Sequence, residues 1–112
     1  MTDTSLPLRS EVPAEQTWDL ESIFATPADW DAACAELKAQ LPALAATRDR
    51  LAEGPATLLT FLEAYQAAGV LAGKINVYAN NQSAVDSGDQ AAAARAGQAR
   101  TLMANSAAAA SF

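Results

Sequence analysis

Residues 26–55 read TPADWDAACAELKAQLPALAATRDRLAEGP, and the fold class follows from them. Thr26 can accept a backbone N–H at the mouth of a helix. Pro27 suits the first helical position, where its missing donor costs nothing, and Asp29 sits where a capping-box acid would. Behind this start, Trp30, Cys34, Leu37, Leu41, Leu44 and Leu51 recur at steps of four and three, with Arg48 in the remaining slot. That spacing is one face of a helix. Pro42 removes a backbone donor inside the run, so a kink or break is expected near Leu41. Gly54-Pro55 closes the element.

Working toward the C-terminus, a second helix is expected over 55–82. Leu58, Leu62, Tyr65, Ala68, Gly69, Ala72 and Ile75 mark its inward face, widened by Leu59, Phe61, Leu71 and Tyr78. This helix should be buried on more than one side, and Leu62→Asp should unfold the chain. Gly69 and Gly73 form G-x-x-x-G, read here as close packing of two soluble helices rather than a membrane dimer motif. Val85 to Asp89 is a loop with a capping residue. A third helix is expected over 88–112, with Leu102, Met103 and Phe112 as its only large apolar residues. Its last residues carry neither a glycine cap nor a basic turn, so the sequence reads as helix still in progress.

Toward the N-terminus, residues 1–17 hold Pro7 and Pro13 and no periodicity, so they read as an extended arm. Trp18, Leu20, Ile23 and Phe24 form a short apolar turn. The organisation is therefore an arm and turn over 1–25 and a helical unit over 26–112, with helices at about 27–52, 55–82 and 88–112. The fold class is all-α: an antiparallel helical hairpin or three-helix segment, because short loops join antiparallel neighbours.

Composition limits what such a chain can do. Of 112 residues, 29 are alanine and only 27 are large apolar side chains, so the core must be thin. Alanine is also the strongest helix former, which leaves a helical chain with marginal packing. Trp18 and Trp30 are the natural core anchors, and Tyr65 and Tyr78 read as buried with their hydroxyls bonded rather than ligand-binding. The net charge is −6, and the seven basic residues form no patch. Nucleic acid and anionic membranes are therefore not expected as partners, and a membrane-surface helix is disfavoured. The N-terminus lacks the apolar core of a secretory signal, and no stretch is long enough to span a bilayer. A cytoplasmic location is expected.

No chemistry is assembled in the sequence. There is no histidine and a single cysteine, Cys34, so the common zinc motifs and an internal disulfide are impossible. Cys34 reads as a small buried hydrophobe. Lys38 and Lys74 are the only bases available to a nucleophile, and neither adjoins a serine motif. Asp29, Asp31 and Glu36 read as a solvated face favoured by the helix dipole. The stretch Asp86-Ser87-Gly88-Asp89 lacks the ligand run of a calcium loop and reads as a loop with a helix cap. Asn81-Gln82-Ser83 matches a glycosylation sequon, which matters only in a secreted protein. No catalytic, cofactor-binding or metal-ligating residue is assigned.

The N-terminal motifs carry a resemblance. LPLRSEVP (6–13), TWDLESIF (17–24) and the acid-flanked Trp30 resemble the N-terminus of oligoendopeptidase F, of the thimet-oligopeptidase-like zinc metallopeptidases. The order of parts is similar too, down to a second helix ending near Tyr78-Ala79. The likeness covers most of the chain and is specific to about Leu41. It departs at 80–89, where a longer acidic loop would stand. The resemblance implies a mostly helical enzyme enclosing a channel for oligopeptides. There the two histidines of an H-E-x-x-H helix and a later glutamate hold zinc, and the motif glutamate activates water. None of those residues lies in this chain, so no site residue carries over. The expectation is an N-terminal fragment that helps form the channel wall and is inactive alone. Its zinc, its oligopeptide substrate and its partner, the remainder of the peptidase, belong to the full-length protein. The alternative is a stand-alone helical interaction module that oligomerises or docks on a partner.

Overall fold

A computed structural model describes residues 5–112. The chain is all-α: among the described residues three helices carry the structure and no strand occurs. They are α1 (Pro27–Ala46), α2 (Pro55–Val85) and α3 (Gln90–Ala109).

Local chemistry sets the boundaries. The Thr26 hydroxyl accepts the Asp29 N–H at 3.2 Å and donates to the Asp29 carboxylate at 3.1 Å, which starts α1. The helix does not break at Leu41. It runs through Pro42 to Ala46, then tightens into a 3-10 helix over Thr47–Glu53, short of the α-helix expected to residue 52. The Thr47 hydroxyl, donating to the Leu44 carbonyl, takes up an acceptor at that transition. Gly54, at φ +142°, then turns the chain into α2, a conformation that L side chains rarely adopt. After α2, Asp86 Oδ1 accepts the Gly88 N–H at 3.1 Å and Asp89 Oδ1 accepts the Ala92 N–H at 3.0 Å. The segment 86–89 is thus an Asx-type turn feeding a capped helix. The third helix ends three residues before the expected boundary. The Ser111 hydroxyl and N–H both bond the Ala108 carbonyl, doing the work a glycine cap would do.

The helices run up, down and up. The Trp30 indole N–H donates to the Ile75 carbonyl at 3.0 Å, pinning the start of α1 to the far half of α2. Arg95 meets Gln82 at 3.1 Å beside the turn, and Phe112 lies 5.2 Å from Phe61 at the other end. Both contacts fix α3 antiparallel to α2. The molecule measures 71 × 23 × 22 Å, a rod rather than a ball.

The core is thin, as its composition requires. Of the fifteen buried apolar residues described, seven are alanine; Trp30, Leu37 and Ile75 are the largest fully buried side chains. The face read for α1 holds, with Trp30, Cys34, Leu37 and Leu44 buried and Leu41 and Leu51 half-buried. The face read for α2 holds only in part. Ala68, Ala72 and Ile75 are buried, joined by Tyr78 and Ala79, but Leu58, Leu62 and Tyr65 are 44%, 49% and 52% exposed. The physical reason is close approach. Ala92, Ala96 and Ala99 are buried on α3, the main partner of α2, whereas of the large side chains in the first half of α2 only Phe61 packs against the core. Gly69 and Gly73 do not mediate that approach, since a Cβ built on either meets nothing within 4 Å.

The arm is not simply extended. It winds into short 3-10 turns at Arg9–Glu11, Ala14–Gln16 and Leu20–Ser22. Leu20 enters the core with Ile23 and Phe24 packed against it. Phe24 meets Tyr78 edge-on at 5.4 Å. Trp18 is not a core anchor: it is 66% exposed.

Candidate functional site

Three surfaces could carry function. The first is the arm. Arg9 Nη2 donates to the Trp18 carbonyl at 2.9 Å, and the Glu11 carboxylate accepts the Leu8 N–H at 2.8 Å. The second bond closes a turn within 6–13, and the first joins that segment to 17–24 around an open hollow of about 800 Å³ lined also by Asp19, Glu21 and Asp86. The apolar side chains of this unit, Leu6, Leu8 and Trp18, point away from the core at 91%, 61% and 66% exposure.

The second is a groove of about 490 Å³ between α1 and α3, lined by Asp31, Cys34, Lys38, Gln98, Thr101 and Asn105 among others. Burial pushes the Cys34 thiol up from its ordinary value. Lys38, one turn along, draws it down, and Asp31 adds to the rise. A positive group thus stands near the thiol, but desolvation outweighs it. Cys34 is a buried thiol whose ionisation is disfavoured by desolvation, the opposite of an activated nucleophile.

The third is the outer side of α2. Leu59, Leu62, Val70 and Val77 stand 57%, 49%, 54% and 46% exposed there, opposite the buried Ala68, Ala72, Ile75 and Ala79.

Asp29, Asp31 and Glu36 are exposed along α1, and Asn81-Gln82-Ser83 lies inside α2. The donor set does not fit the zinc of the resembled peptidases. The chain has no histidine, its one cysteine is buried, and no three candidate ligands converge among the described residues. No described helix is long and apolar enough to cross a membrane. The open face of α2 was the feature that sequence reasoning missed. Its signal was the spacing of Leu59, Val70 and Val77, which had been merged with, or left out of, the inward face. No protein-family model, no curated protein and no solved structure matches this chain.

Proposed function

We propose that this chain is the N-terminal helical segment of an oligoendopeptidase F-like zinc metallopeptidase, contributing wall to a channel that admits oligopeptides. The observation that carries the reading is the arm. The two motifs behind the resemblance, LPLRSEVP and TWDLESIF, are the two strips that Arg9 ties together, and the second anchors on α2 through Leu20 and Phe24. A further support is the exposure of Leu6, Leu8 and Trp18 on that unit, apolar area suited to cover by neighbouring protein. The segment would position and limit, and it performs no bond-breaking step. Zinc ligands and the water-activating glutamate would come from outside these residues.

Reading the gene past the codon for Phe112 tests the proposal. An open frame that reaches H-E-x-x-H on a helical stretch is the expected result. A frame closing without that motif would overturn it.

A further inference from the structure

We propose that the outer face of α2 is a self-complementary pairing surface, on which a second copy of this chain docks antiparallel through a two-fold axis at the level of Ala68. Leu59, Leu62, Gln66, Val70, Gly73 and Val77 follow one another along this face at steps of three and four. At 3.6 residues per turn they form a single stripe about 27 Å long from Leu59 to Val77. The stripe lies opposite the residues that α2 buries, so α1 and α3 leave it open.

The choice of a second copy rests on how the stripe matches its own reverse. Leu59 lies nine residues before Ala68 and Val77 nine after, so each meets the other across the axis. Gln66 and Val70, two residues to either side, meet at the centre. On one flank, Leu62 falls opposite Gly73 of the second copy. A Cβ at Gly73 would meet nothing within 4 Å in this chain, which leaves that position free to receive a leucine. On the other flank, Glu63 and Lys74 are both exposed and carry opposite charge. In an antiparallel pair, residues of the same flank face each other. Glu63 therefore stands beside Lys74 of the copy, and the symmetry makes the pair twice. Leu59 meets Val77 at the two ends and Gln66 meets Val70 at the centre, while Leu62 with Gly73 and Glu63 with Lys74 come within one residue of level. Gly73, unused inside the chain, finds a role there. The pairing goes beyond the peptidase reading and does not depend on it.

Sedimentation equilibrium of the 112-residue chain tests this. The wild type should approach twice its 11.6 kDa as concentration rises. Glu63→Lys and Lys74→Glu should each weaken the dimer roughly tenfold, since each places like charges together twice. The double charge swap should restore wild-type association. Val70→Asp should give a monomer with unchanged helical circular dichroism, because Val70 is exposed in the single chain. A wild type that stays monomeric at every concentration overturns the pairing and leaves the face to a helix of a different chain. A dimer indifferent to the single charge reversals, or a swap that fails to restore it, overturns the register. The downstream reading frame decides the peptidase proposal separately, so either can fail alone.

Discussion

Two tryptophans with similar surroundings in sequence have opposite fates. Trp30 is 1% exposed and bonds the Ile75 carbonyl, whereas Trp18 is 66% exposed and engages Arg9 only through its own backbone. Trp30→Phe removes the indole N–H bond to the Ile75 carbonyl and leaves a void where the larger ring stood, so it should cost about 1–3 kcal/mol, read from the shift in a urea melt. Trp18→Phe should stay within about 0.5 kcal/mol of wild type in the same measurement. The sequence held no signal to separate them, because burial of Trp30 depends on a partner 45 residues away. Cys34 was legible, since a small apolar residue on the inward face of α1 needs no distant information. Its thiol should react with iodoacetamide far more slowly in the native chain than in urea. Its pH linkage has a definite sign. The raised folded pKa means a stabilising contribution fully present below the unfolded thiol value, about 8.5, and lost as pH climbs through the folded value. The wild type should therefore lose stability above that pH more steeply than Cys34→Ala.

At the level of elements, the helix starts and the inward face of α1 were readable, whereas the helix ends and the inward face of α2 were not. Thr26, Gly54 and Asp89 act within a few residues of where they stand, so local sequence places the starts of α1, α2 and α3 to within two residues. Pro42 was expected to kink or break α1 near Leu41, and the helix continues unbroken through it to Ala46. Packing of Leu37 and Leu44 on either side holds the helix through the missing donor. Because Pro42 is exposed, Pro42→Ala should restore the bond to the Lys38 carbonyl and raise stability by up to about 3 kcal/mol, seen as a higher melting temperature. The inward face of α2 was misjudged because the largest side chains were assumed to lead inward. Leu62→Asp, expected from sequence to unfold the chain, should leave the circular dichroism melt of the monomer nearly unchanged. Leu37→Asp, at a position 0% exposed, should abolish the transition, since it buries a charge with no partner.

The whole molecule joins a long, narrow body to an alanine-rich core. With seven methyl side chains among the fifteen buried apolar residues described, little area per residue leaves water. Such a rod should unfold over a broad urea range with a shallow slope, and its end near Phe61 and Phe112 should exchange amide hydrogens before the Trp30–Ile75 region. The purified chain should cleave no quenched oligopeptide, with or without added zinc. Zinc-dependent cleavage by the pure chain would overturn the reading that this segment is not catalytic alone.

By itself the sequence determined that the chain is all-α, where its helices begin and turn, and that it contains no imidazole with which to hold zinc. Each of these depends on residue type or on interactions within one or two turns. Only the tertiary structure decided which sides of the helices meet. Alanine faces win by allowing close approach along the second half of α2, a gain no single position reveals. The leucines and valines displaced by that choice form the open stripe of α2, visible only once its neighbours are in place.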